Sequence, residues 1–210
     1  LIKATLINTA VDITGYGYAG YEAALPIPNP HEGWGRINVG EAVTVGAGQF
    51  VDNGSGITTN TIAQWNVEVV ANTKPFKVTL VWSDVEGIPN TGTTWALVNN
   101  LDLEVISPGG TIYRGNYFSG GWSLSGGSAD QINNVENVYI QTPAPGNWLV
   151  RVKGTNVPKG PQPYALVVDQ QEPRVTSFTP AIGLNDAELT DALVQGNWLQ
   201  DATGVKLVKG

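Results

Sequence analysis

Cysteine and methionine are both absent from this 210-residue sequence. Without cysteine there is no disulfide framework and no thiolate-ligated zinc site. Its avoidance points toward a protein that works outside the cell. Charge is sparse as well: 14% of residues are Asp, Glu, Lys or Arg, against about 25% in an average globular protein. What charge there is leans acidic, with 18 acidic and 11 basic residues, a net charge of -7 and a pI near 4.6. A nucleic-acid partner, whose phosphates need a basic face, is therefore not expected. Apolar runs are short. None approaches the roughly 20 residues needed to span a bilayer as a helix.

There is one histidine, His31, and histidine is the side chain whose ordinary pKa best suits general-base work. It sits in Pro30-His31-Glu32-Gly33-Trp34 with no nucleophile motif beside it, so a structural or surface role is expected. The chain opens on Leu1, and Leu1–Ala10 reads as a helix with Leu1, Ile2, Leu6 and Ile7 forming its apolar stripe. No Ser, Thr, Asp or Asn cap stands in front of it. The expectation is a piece of a longer polypeptide, cut within or close to a helix. At the other end, Val205–Val208 reads as a strand in need of a partner.

Turn formers, by contrast, are plentiful, with 26 Gly and 13 Pro, and between them the chain alternates in strand fashion. In Ala96–Gly110, Leu101, Leu103 and Val105 fall on one side and Asp102, Glu104 and Ile106 on the other, the pattern of a strand with one buried face. Ser107-Pro108-Gly109-Gly110 closes it, and Thr111-Ile112-Tyr113 starts back as a hairpin. Thr61–Val69 turns Trp65, Val67 and Val69 inward; Phe76–Asp84 does the same with Phe76, Val78, Leu80 and Trp82. After a Gly/Ser-rich loop at Ser119–Ser128 come Val135–Gln141, Asn147–Lys153 and Tyr164–Asp169. Seven or eight short strands separated by turns predict a mainly β fold, a β-sandwich or jelly roll. Gln171-Glu172-Pro173 reads as a linker, and the 37 residues that follow are too few for a stable domain of their own.

Three stretches carry a resemblance to known proteins. Leu1–Val43, with its Leu-Ile-Lys-Ala-Thr-Leu-Ile-Asn-Thr-Ala helix and Gly33-Trp34-Gly35-Arg36-Ile37-Asn38, resembles the last part of a subtilisin-like serine protease domain. Gly48–Gln170 resembles the β-barrel or jelly-roll domain appended to the alkaline oxidation-resistant protease branch of that family. Its landmarks are Leu80–Asp84, Leu97–Leu103 and Asn133–Val138. Arg174–Gly210 resembles the opening of an immunoglobulin-like IPT/TIG module, on Ser177-Phe178-Thr179-Pro180 and Gly196-Asn197-Trp198-Leu199. The resemblance implies three parts: 1–47, the C-terminal remnant of an α/β catalytic domain; 48–171, a jelly-roll β-domain; and 172–210, the start of an incomplete β module. A subtilisin-type Asp-His-Ser triad comes in its own short motifs, and none of these occurs in the chain. The parent would be a secreted or cell-surface endopeptidase, with this chain its non-catalytic accessory portion and the upstream catalytic domain its partner. The alternative is an adhesion module recognising a glycan or a polypeptide.

The resemblance also implies calcium, which takes about six to eight oxygen ligands. Asp130, Asn133, Asn134 and Glu136 are the candidate ligands, packed within one loop, with Asp84 and Asp102 contributing only if the fold brings them near Glu136. The preceding Gly121–Ser128 lacks acidic residues that relatives carry. A plainer role for the asparagines is to satisfy backbone groups where a strand begins. Trp95, Tyr113, Tyr117, Phe118 and Trp122 are candidates for a binding face, since aromatic rings give a large contact area at low entropic cost. Their plainer role is to plug one end of the β-domain or to pack on the protease domain.

Overall fold

A computed structural model describes residues 1–13, 25–44, 49–69, 74–87, 96–169, 174–179 and 193–197. Two short helices come first, α1 (Ile2–Asn8) and α2 (Val39–Thr44). The strands that follow are β1 (Gln49–Ile57), β2 (Ile62–Val69), β3 (Phe76–Trp82), β4 (Asn100–Ile106), β5 (Ile112–Ser119) and β6 (Trp122–Ser125). Then come β7 (Val135–Ile140), β8 (Gly146–Asn156), β9 (Gln162–Asp169), β10 (Arg174–Thr179) and β11 (Leu193–Asn197). Leu1–Gln170 forms one compact unit and Gln171–Gly210 a second. Of the second unit the described part is an antiparallel pair, β10 with β11, running from Arg174↔Asn197 to Thr179↔Leu193 with a register shift between Val175 and Ser177. Val205–Val208 and Trp198 lie outside the described residues.

In the first unit the strands make two antiparallel sheets, ordered β1-β9-β3-β7 and β2-β8-β4-β5-β6. The chain crosses between sheets at β2–β3–β4 and again at β6–β7–β8–β9, so residues distant in sequence share one interior. Phe76, Val78, Leu80 and Trp82 from β3, with Leu166 and Val168 from β9, meet Val67 from β2, Leu101, Leu103 and Val105 from β4, and Trp148, Val150 and Val152 from β8. Removing each such side chain from water is worth about 1.5–3 kcal/mol, which makes this layer the main source of stability. The fold is a mainly β sandwich, as the alternation predicts.

The outer face of the four-stranded sheet is covered too. Ala4 of α1 is fully buried against Val81, Ala165 and Val167, with Ile7 packed beside them. Asn8, equally buried, donates from Nδ2 to Thr79 Oγ1 at 3.0 Å, and the Thr79 hydroxyl donates to Asn137 Oδ1 at 2.6 Å. The Tyr139 hydroxyl donates to the Ile7 carbonyl at 3.3 Å. The buried side of α1 is thus Ala4, Ile7 and Asn8, while Ile2 is 78% exposed, a correction to the stripe expected from hydrophobicity. A small residue and an amide win that face because the strand beneath offers a close-packed surface with a hydroxyl in it.

Three further differences have local causes. β1 lies before the first strand expected: its alternation is broken by a register shift between Asn53 and Ile57. There Gly56, at φ 77°, lets the backbone run directly against Pro161 and Gln162. β6 occupies part of the expected Gly/Ser loop, because Gly120 and Gly121 both adopt positive φ and fold Phe118–Ser123 into a tight hairpin. β4 is buried on both faces, with Asp102 and Glu104 enclosed along with the leucines.

Candidate functional site

The expected metal-ligand loop sits between β6 and β7, next to an irregular point in β5. Asn116 there has φ 61°, a left-handed conformation that asparagine tolerates better than most residues. Its side-chain amide behaves like a piece of strand. Oδ1 accepts from the Asn137 N–H at 3.0 Å, and Nδ2 donates to the Val135 carbonyl at 2.7 Å. One step along, the Tyr139 N–H donates to Ser123 Oγ at 2.9 Å. β7 is the edge of its sheet, and side chains from β5 and β6 therefore occupy backbone groups that an edge would otherwise leave open.

Asp130 is saturated by donors. Its Oδ1 accepts from the N–H groups of Ile132 at 2.8 Å and Asn133 at 3.2 Å. Its Oδ2 accepts from the amide nitrogens of Asn133 at 2.7 Å and Asn116 at 2.6 Å. Asn116 cannot be turned to present oxygen instead without losing both of its bonds to β7. Glu136 faces the other way, into the sandwich, and is fully buried. Its Oε2 accepts from the Leu103 N–H at 2.7 Å, while Oε1 has no partner. Burial pushes its carboxyl well above the ordinary range; the Leu103 N–H pulls back, and Asp102 and Asp130 push it further up. Asp130 and Glu136 therefore do not share a coordination sphere, and no group of three or more His, Asp or Glu side chains suited to a metal occurs among the described residues. As arranged, the four residues do not fit calcium.

The other candidates have structural partners. Asp84 accepts from the N–H groups of Val85, Val98 and Asn99 at 2.9, 2.6 and 2.9 Å. Asn99, buried, donates to the Lys159 carbonyl and to Gln162 Oε1. Asp102 accepts from the Thr155 hydroxyl; burial raises its carboxyl, which Thr155 and Lys153 partly offset. Glu104 lies 3.3 Å from Lys153 Nζ and 3.9 Å from Arg114 Nε. His31 is exposed, its N–H bonded to Asn29 Oδ1 at 3.0 Å in a turn that also engages Glu32.

The aromatic residues do not make one face. Tyr113 packs on the sandwich interior, its ring 6.0 Å from that of Trp148. Phe118 joins Trp34 and Tyr139 in a trio with centroids 5.5–5.8 Å apart, which fastens the segment carrying Trp34 to the sheet. Trp122 is half-buried in β6 opposite Ser119, and Trp95 lies outside the described residues. Of the described members of the group, Tyr117 lines an open cleft, of about 580 Å³, together with Trp34, Asn116, Asp130, Asn133 and Asn134. Trp34 and Asn116 were not among the expected site residues. The first reads as a core ring between two glycines, and nothing in the pattern of β5 marks the second.

No family model matches the chain. The chain is similar to the serine protease/ABC transporter B family protein tagA of Dictyostelium discoideum, 31% identical over 177 residues, covering 80% of this chain and 10% of that protein. The tagB protein of the same organism and family name is 38% identical over 94 residues, 42% of this chain and 5% of its own length. The chain thus spans about a tenth or less of the curated relatives it matches. A solved protein from Sulfurospirillum deleyianum aligns over 60% of this chain and 98% of its own at 7% identity, with a TM-score of 0.32, too low to add to the description of the fold.

Proposed function

We propose that the chain is the C-terminal accessory portion of a subtilisin-like serine endopeptidase, exported or held at the cell surface. In this reading a jelly-roll sandwich braces the catalytic domain. The relatives named serine proteases support an association with proteolysis. The observation that carries the bracing role is the buried chain Asn8–Thr79–Asn137, reinforced by the Tyr139–Ile7 bond. The segment that resembles the end of a protease domain packs, through α1, on the outer face of the four-stranded sheet instead of trailing from the sandwich on a linker. Whatever fold continues from α1 is then held rigidly, and its thermal unfolding is coupled to that of the sandwich. Catalysis belongs to the upstream part, and calcium has no role in this reading.

The test uses the full-length polypeptide. Casein hydrolysis blocked by a serine-directed inhibitor is expected, and the paired variant Asn8→Ala/Thr79→Val should shorten the half-life of that activity on heating while leaving kcat at low temperature unchanged. Absence of inhibitor-sensitive peptidase activity, or an unchanged half-life, overturns the reading.

A further inference from the structure

The geometry points to the cleft between Trp34 and the Asp130–Asn134 loop as a binding site for a neutral saccharide. The walls are apolar: Trp34 and Tyr117 contribute rings, and Ile132 adds an aliphatic edge. Tyr117 is 40% and Ile132 49% exposed, and a β carbon on Gly127 would run into the Tyr117 ring. That glycine therefore supports the ring and keeps its place at the cleft. Polar groups are available between these walls. Among the described residues the Asn134 amide, the Asn133 side-chain carbonyl and the hydroxyls of Ser128 and Tyr117 make no hydrogen bond. Planar amides and hydroxyls beside ring faces match a sugar, which offers C–H groups on one face and hydroxyls around its rim.

Other ligand classes fit less well. Among the described residues Asp130 is the one acidic or basic side chain lining the cleft, so a phosphate or sulfate would meet repulsion and no counter-charge from them. A metal or ammonium ion would find the Asp130 oxygens already taken by four N–H donors. An extended peptide binding by strand addition needs open backbone groups on an edge. At β7 the Asn137 and Tyr139 N–H groups are occupied by Asn116 and Ser123. A neutral ligand with an apolar face and a hydroxylated rim is what remains. The site is independent of the protease reading, since it needs only the 210-residue chain.

Titration of the whole chain with neutral chito-, cello-, malto-, manno- and xylo-oligosaccharides, followed by tryptophan fluorescence, tests it. At least one series should bind with millimolar or tighter Kd. Tyr117→Ala and Asn134→Ala should each weaken it about tenfold, the scale of one lost ring or amide contact, whereas Leu124→Ala, at an exposed residue outside the cleft lining, should not. In the unmutated protein the Asn134 side-chain amide resonances should shift on titration, a readout that does not depend on any variant folding. No binding by any neutral series overturns the proposal. So does binding insensitive to both variants, an unmoved Asn134 amide, or binding confined to casein peptides or sulfated saccharides.

Discussion

The carboxyl of Glu136 fills the space that a side chain on Gly115 would need: a β carbon there would collide with Glu136 Oε2. Gly115 does not have positive φ, so room is what the position demands, and conformational freedom is not. Where β5 parts from β4, the Glu136 carboxyl enters the gap and accepts from the Leu103 N–H. Gly115→Ala should therefore cost about 1–3 kcal/mol in urea unfolding, the usual range for overpacking. The cost should shrink in a Glu136→Ala background, where the colliding atoms are gone. Equal costs in both backgrounds would show that the two residues do not interfere.

Glu136 also sets a pH dependence. Its carboxyl titrates near 4.5 in an unfolded chain and well above that when folded, because of burial first, opposed by the Leu103 N–H and assisted by Asp102 on β4 and Asp130 before β7. Between those two values the folded state keeps a proton that the unfolded state has lost, so its contribution to stability is full below about pH 4.5 and declines as pH rises. The slope for one such group is at most about 1.4 kcal/mol per pH unit. Glu136→Gln keeps the shape without the titration. Its stability relative to the parent should rise as pH increases above about 4.5, read from paired denaturation curves; a pH-independent difference would exclude the effect.

The strands were legible wherever side chains alternate cleanly. Phe76–Trp82 and Leu101–Val105 place their inward residues as the pattern requires. Illegible elements are those where the backbone departs from regularity, as at Gly56 in β1 and Asn116 in β5. The Gly120-Gly121 pair was a turn signal in plain view, and it marks a hairpin within what composition alone reads as loop. In the polar loop, residue type shows the chemistry and not its direction. Asp130, Asn133 and Glu136 are the oxygen-bearing types a cation needs, but hydrogen-bond direction turns amide nitrogens toward Asp130 and sends Glu136 inward. Composition carries no information on that. Likewise the aromatic residues between Tyr113 and Trp122 are adjacent in sequence, yet a left-handed residue among them changes which way each one points.

Asn116 is where that change is made, and its substitution separates conformation from bonding. Asn116→Ala loses the bonds to Asn137, Val135 and Asp130 while keeping a strained φ, and should cost about 2–3 kcal/mol. Asn116→Gly relieves the strain and loses the same bonds, so it should cost less. Asn116→Asp retains an acceptor for the Asn137 N–H but sets a carboxylate against the Val135 carbonyl and Asp130, and at neutral pH it should be the worst of the three. Thermal midpoints in that order support the role; a glycine variant worse than alanine would contradict it.

Calcium offers the last test of the loop. A ligand that binds only the folded state raises its stability by RT ln(1 + [L]/Kd), so a resident calcium ion would make the thermal midpoint depend on calcium concentration. The four donors on Asp130 and the burial of Glu136 leave neither carboxyl of the loop open to it. EDTA should therefore leave the midpoint unchanged, and millimolar calcium should raise it no more than magnesium at the same ionic strength. A calcium-specific rise of several degrees, abolished in Asp130→Asn, would require a second arrangement of the loop in which Asn116 gives up its bonds to β7. That arrangement would betray itself through faster amide exchange at Asn137.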